Sequence, residues 1–381
     1  MLTGNRGEWA EIYTLLSILA KGTLSPVASG ADEFGAQSFP IQSVMRPIAG
    51  GKFIRFERLS NSIKVFEVQS NQLLCEYSTL DISILENRLL QLLQDKKIKG
   101  TFSDAELQAF LDQCGLHSIN APSGATADLF VQALDLRVGG SNKLGFSIKS
   151  QLGSPSTLAN ANAHTTIRGA ITGDLNPKVL MQLEELGDQK SLRQILETLQ
   201  ENSMGFELRT FKSETFTRNL RLVDSSMPEL LLLLLSAYFK TDARTVVGCV
   251  GMVHEKGSEI RKLDDTEFLL SHGLLENSFI EHKMKDLLVA FSSGLRPGTP
   301  WNGLSRETTG TLVVDKVGHL GYFHAQQNWN SYRDYLYRAT RFETPDRRLD
   351  FGVVKREKVA ESEKGQDSWY IDFNFQIRFI E

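Results

Sequence analysis

Apolar residues recur every three or four positions from 5 to 21, where Trp9, Ile12, Tyr13 and Leu16 form one stripe. That spacing predicts a helix, with Gly22 after Lys21 as its stop. Glu8 falls in line with Ile12, Leu15 and Leu19, so a charge sits on the apolar face. A loop-rich stretch is expected from Pro26 to Pro47, then strands at 52–58 and 62–68 and helices over 81–95 and 103–114. Ser103-Asp104-Ala105-Glu106 supplies a helix cap for the second. Residues 128–135 and 144–150 read as two strands around Val138-Gly139-Gly140-Ser141-Asn142, a hairpin signal, and another strand is expected near 165–171. Helical spacing governs 176–204, 228–240 and 277–293. After Pro297 and Pro300, strands are predicted at 310–315 and 319–324, a short helix at 329–339, and a hairpin of 351–356 with 369–379. The pattern is α+β, with a helical middle and a strand-rich C-terminal region. A division into residues 1–172 and 173–381 is expected.

Composition changes this picture little. Lys and Arg total 42 against 46 Asp and Glu, a net charge of −4, so nucleic-acid binding would have to come from local basic patches. Cys75, Cys114 and Cys249 are far apart and show no zinc spacing, which fits reduced thiols in a cytoplasm. The N-terminus has no signal-peptide pattern. The apolar run from Leu230 to Leu235, extended by Ala237, Tyr238 and Phe239, is about half the ~20 residues a bilayer span needs. A buried helix is expected there, and no membrane partner.

The two strands at 128–135 and 144–150 carry the candidate chemistry. Phosphodiester hydrolysis needs an activated water and a cation that takes up charge on the phosphate. One protein solution is an acid at the start of a strand and an acid-x-Lys triplet on its antiparallel neighbour, whose first and third residues share a face. Here Asp128 begins the first strand and Ser147-Ile148-Lys149 lies on the second, so Asp128 and Lys149 can converge. Asp135 competes as the acid but lies close to the turn, and Asp128 is favoured. Ser147 replaces the triplet acid and is a weak ligand for a hard cation, so a second carboxylate is expected from Glu8 or Glu11 on the first helix. Glu8 has a bland alternative, an exposed first-turn glutamate favoured by the helix dipole. Gln151 stays on the face of Lys149, where it can bind the water or a phosphate.

Several longer strings resemble the HpaII-type restriction endonucleases, a family of PD-(D/E)XK-like nucleases. They are Gly4 to Tyr13 with its two glutamates, Gly145 to Leu158, Asp128 ahead of that strand, Phe342-Glu343-Thr344-Pro345, and Phe375-Gln376-Ile377-Arg378-Phe379. Trp301-Asn302-Gly303 and Tyr322-Phe323-His324 fit less tightly. The resemblance spans nearly the whole chain in order. It implies a restriction-endonuclease-like mixed sheet flanked by helices, and Mg²⁺-dependent cleavage of double-stranded DNA at a short palindromic site of CCGG type. It also implies a DNA cytosine methyltransferase as functional partner. A homodimer stays open. Asn162-Ala163-His164-Thr165-Thr166-Ile167 departs from the family by lacking an Asn-Phe pair, which bears on base reading.

The polar stretch 151–166 suits hydrogen bonding to phosphates and base edges, with Ser154, Ser156, Asn160, Asn162 and Thr165 as candidates. Arg338, Arg341 and Arg347, with Arg333 and Arg348 nearby, suit bidentate reading of guanine. Each group has an ordinary alternative as a solvated loop or surface helix. A rival function is a nuclease-fold DNA-binding protein left inactive by Ser147.

Overall fold

The computed structural model describes residues 1–26, 38–122, 127–135, 140–153, 156–173, 176–188, 192–254, 277–303, 310–324, 329–344, 354–357 and 368–380. In chain order these form α1 (Arg6–Lys21), β1 (Thr23–Leu24), β2 (Phe39–Ile48), β3 (Lys52–Arg58), β4 (Ser62–Glu67), β5 (Gln72–Ser78), α2 (Thr79–Gln94) and α3 (Ala105–Gln113). Next come β6 (Leu129–Asp135), β7 (Gly140–Ser150), β8 (Thr157–Ala159), β9 (Ile167–Thr172), α4 (Pro177–Asp188), α5 (Leu192–Glu201) and β10 (Gly205–Phe211). Then follow α6 (Glu214–Val223), α7 (Met227–Lys240), α8 (Val246–His254), α9 (Asn277–Ser292), β11 (Gly310–Val314), β12 (Leu320–His324) and α10 (Trp329–Arg338). The last strands are β13 (Thr340–Glu343), β14 (Val354–Glu357), β15 (Ser368–Phe373) and β16 (Gln376–Phe379).

The chain forms two compact units. Met1–Ser156 and Arg306–Tyr335 make the first, Thr157–Ser305 and Leu336–Ile380 the second. The division expected near residue 172 is a single cut, whereas here the chain leaves the first unit and returns to it for β11 and β12.

The first unit is built on a mixed sheet in the order β12-β11-β7-β6-β2-β3-β4-β5, with β1 paired to β2. β11 runs parallel to β7, and the other pairs are antiparallel. β2 corrects the loop expected from Pro26 to Pro47. Its prolines hid it, since a proline cannot donate to a ladder. Both lie where one neighbour is missing: Pro40 pairs only with β1 and Pro47 only with β3, while β6 covers Ile41 to Met45.

Helix α1 supplies much of this unit's core. Asn5 caps it in a reciprocal box with Glu8, and Gly22, at φ 67°, ends it by donating its N–H to the Ile18 carbonyl. Trp9, Ile12, Tyr13, Leu15, Leu16, Ile18 and Leu19 are all buried, against Val44, Phe56, Leu129, Val131 and Phe146 of the sheet and Leu89 of α2. This nearly all-round burial leaves Glu11 as the one incompletely buried position between Trp9 and Leu19.

The second unit holds two small sheets, β10-β9-β15-β14 and β13-β16-β8, and the buried apolar helix α7. Among the described residues no single helix is long and apolar enough to cross a membrane. The strand expected at 369–379 is two strands in different sheets. Between them lies Asn374, fully buried, whose Nδ2 donates to Asn162 O (2.9 Å) and Thr166 Oγ1 (3.2 Å). A side chain spent on that turn takes the backbone out of the ladder.

Gly310 opens β11 opposite His324, and a Cβ there would run into the Phe323 carbonyl oxygen and crowd the Phe146 ring. Gly310→Ala is expected to lower the thermal unfolding midpoint, at a cost of about 1–3 kcal/mol for overpacking. An unchanged midpoint by differential scanning calorimetry would mean that β11 does not pack as closely as described.

Candidate active site

Asp128 stands just before β6, and the strand opposite holds both ends of it. Its backbone N–H donates to Phe146 O (2.9 Å), and its Oδ2 accepts the Ile148 N–H (2.7 Å). The carboxylate thus takes the place of a ladder carbonyl and is pinned to β7 beside Ser147. The register pairs Leu129 with Phe146, both buried in the core, so Ser147 and Lys149 take the opposite face of β7. Both are half-buried, and the parallel neighbour β11 places Thr311 opposite Ser147 and Val313 opposite Lys149. Gln151 lies just past the strand, with its N–H donated to Val314 O (2.8 Å) and its side chain against the Tyr335 hydroxyl. Asp135 pairs with Gly140 at the turn end of β6.

The two glutamates of α1 have different surroundings. Glu8 is committed at both oxygens: Oε2 accepts the Asn5 N–H (2.7 Å) and Oε1 accepts from Asn120 Nδ2 (2.9 Å). Glu11 points at a buried cation. Its Oε2 lies 3.2 Å from Arg46 Nη2 and accepts the Ala121 N–H at 3.0 Å. Burial pushes the Glu11 pKa up to about 7. Arg46 and the Ala121 N–H pull it down, and the negative charges of Asp128 and Glu8 push it further up. Asp128 and Glu11 are therefore close enough to repel.

Arg46 escaped the sequence analysis because it lies in the stretch expected to be a loop. Its side chain is 1% exposed and also donates from Nη2 to the Ile119 carbonyl. Burial lowers its pKa, opposed by the charges of Glu11 and Asp128. Its Nη1 is buried with no hydrogen-bond partner among the described residues. Such a donor is costly unless something accepts from it. The available signal was Arg46 within Val44-Met45-Arg46-Pro47-Ile48, a charge in an apolar run.

A divalent cation suits this donor set. Among the described residues no group of three or more His, Cys, Asp and Glu side chains converges as a metal cage. Mg²⁺ needs none, since it commonly keeps several waters and takes one or two carboxylates plus substrate phosphate. Two carboxylates that repel each other, with Glu11 raised to about 7, have the charge that a cation offsets. Asp128 and Glu11 fit as its ligands better than Glu8, whose oxygens are both in use.

The expected DNA-contacting residues are spread over both units. Ser156 is half-buried in the first unit, and Ser154 and Arg347 lie outside the described residues. In the second unit Asn160 is exposed, and Asn162 caps a short turn by accepting from the His164 N–H (2.8 Å). Thr165 is fully buried, with its hydroxyl bonded to Asn374 Oδ1 (2.7 Å) and Asn162 O (2.9 Å). That burial leaves it no surface to offer DNA, which corrects its expected role. Arg338 is exposed at the end of α10, while Arg341 is held 3.3 Å from Glu343, which also pairs with Arg378 at 3.1 Å.

A profile of the HpaII restriction endonuclease family matches residues 5–379. The chain is also 30% identical over 386 residues to a type II restriction enzyme HpaII of Haemophilus parainfluenzae, covering 99% of each. No solved structure matches. The matched span takes in α1, β2, β6, β7 and every candidate side chain of the site, and the chain belongs to the HpaII restriction endonuclease family.

Proposed function

We propose that this restriction endonuclease cuts double-stranded DNA at a short palindromic site of CCGG type with Mg²⁺, with Asp128, Glu11 and Lys149 forming the reacting site. The observation that carries the assignment is the seating of Asp128. Its carboxylate is fixed to β7 at the Ile148 N–H, between the residues that carry Ser147 and Lys149. The bound cation supplies charge to the scissile phosphate and lowers the cost of making a hydroxide.

The chain's own residues do the positioning. Glu11 takes the part of the acid missing at Ser147, and Arg46 holds it by an ion pair within a buried setting. Arg46 Nη1, buried and without a partner among the described residues, suits an ordered water. Lys149, on the outward face of β7 with Ser147, orients the attacking water and stabilises negative charge as the phosphorus adds its fifth oxygen. Gln151, just past the strand with its side chain against the Tyr335 hydroxyl, is the candidate to hold that water or a neighbouring phosphate. Glu8 orients the start of α1 through its cap and its bond to Asn120.

Asp128→Ala is expected to abolish plasmid cleavage while duplex binding persists, since it removes a ligand and also a charge that repels phosphate. Lys149→Ala should lower the single-turnover rate by roughly two orders of magnitude, in line with ~3–4 kcal/mol for a group that stabilises transition-state charge. Full activity of the first variant, or a change of only a few-fold in the second, would remove that residue from the site.

The target is tested separately. A CCGG site presents the O6 and N7 acceptors of two guanines per strand in the major groove, and each bidentate arginine or lysine contact discriminates by ~1–3 kcal/mol. Substrates differing only in CCGG should be cut only where it is present, with ends mapping inside it. Methylation of its cytosines should block the reaction, as expected of a partner methyltransferase that protects host DNA. Cutting at unrelated sequences would reject the target and keep the nuclease. Equal cutting of methylated CCGG would reject cytosine-edge contact.

A further inference from the structure

A recess of about 630 Å³ opens at the start of α1, lined by Asn5, Arg6 and Gly7 and by Lys96, Ile98 and Lys99 of the loop after α2. The two lysines are exposed, and neither has an ion pair among the described residues. Arg6 forms the recess wall. Its Nη2 donates to the carbonyls of Asp95 (2.6 Å) and Ile98 (3.1 Å), which fixes the lysine-bearing loop against the helix. The helix terminus itself is already occupied, since Asn5 and Glu8 cap each other. The attraction for an anion therefore comes from the lysines.

Two stretches of chain link the recess to elements of the candidate active site. Along α1, Arg6 precedes Glu11 by five residues, an axial distance of ~7.5 Å. Along the other stretch, the chain runs from Lys149 past the end of β7 at Ser150 to Gly153, where an added Cβ would lie 2.9 Å from Arg6 Cβ and 3.2 Å from Gly7 N. A duplex bound at Asp128 would continue past the cut on both sides, and the recess offers a pair of cations to a phosphate of that flanking backbone.

We propose that Lys96 and Lys99 clamp a backbone phosphate of the DNA strand flanking the cut, an inference that rests on the DNA-cutting function proposed above. The contact is to phosphate alone, so it positions the duplex without reading its sequence.

The test measures binding of a fluorescent duplex lacking CCGG by anisotropy, in EDTA, across a salt titration. Lys96→Ala/Lys99→Ala is expected to reduce the slope of log affinity against log salt by ~0.9, the loss of one neutralised phosphate, with no change in thermal midpoint. Lys96→Arg/Lys99→Arg should keep the wild-type slope. A slope unchanged in the alanine variant, while the wild type binds and cuts DNA, would overturn the clamp and leave the nuclease intact. A slope lost equally in the arginine variant would also overturn it, because charge alone should suffice. No salt-dependent binding by a wild type that still cuts plasmid DNA would overturn the clamp alone, and neither binding nor cutting would overturn the clamp and the DNA-cutting function together.

Discussion

One buried guanidinium organises the first unit's reactive edge. Arg46 comes from β2 in the middle of the sheet, yet its side chain is almost wholly out of water and meets Glu11 of α1 and the carbonyl of Ile119. A cation in such a place is tolerable only if the surroundings supply charge and acceptors. The pair consequently fixes three segments that are distant in sequence: the first helix, the central strand and the loop that leads to Asp128. Removing either partner would leave a charge in the core, so the fold cannot easily give up the arrangement that brings a second carboxylate near Asp128.

From that constraint the rest of the site follows. Asp128 is not free to swing, because the β7 backbone holds it at both N and Oδ2. Glu11 is not free either, because Arg46 and the Ala121 N–H hold its Oε2. Burial pushes the Glu11 pKa up to about 7 against the pull of Arg46, and the charge of Asp128 adds to the push. The site is thus poised to take up positive charge. The paired strands carry fewer carboxylates than acid-x-Lys would provide, since Ser147 stands in the triplet, and Glu11 of α1 is the proposed substitute.

Much of this was legible in the sequence, for physical reasons. The stripe on α1 and its cap follow from spacing and from Asn5 and Glu8. The β6–β7 pair follows from alternation about a glycine turn, and that pairing placed Asp128 against Ser147-Ile148-Lys149. What stayed hidden involves contacts between segments far apart in the chain. β2 was obscured by Pro40 and Pro47, whose missing N–H groups matter only if both neighbours are present. With β2 went Arg46, and with Arg46 the reason why Glu11 is held differently from Glu8. β5 shows no clean alternation because its residues are exposed or half-exposed. The break between β15 and β16 depends on Asn374 finding Asn162 and Thr166 about two hundred residues earlier. Thr165 looked like one polar loop residue among several, and only its burial in that same network separates it from Asn160.

The central claim is that Asp128 and Glu11 together form the cation site. It is tested most directly by diffraction from crystals of the protein with an uncleaved duplex, soaked in Mn²⁺ and measured at the manganese edge. The account predicts an anomalous peak in contact with carboxylate oxygens of both residues and with a phosphate oxygen of the DNA. A peak held by Asp135, or by Asp128 with Glu11 still turned to Arg46 and out of reach, would contradict it.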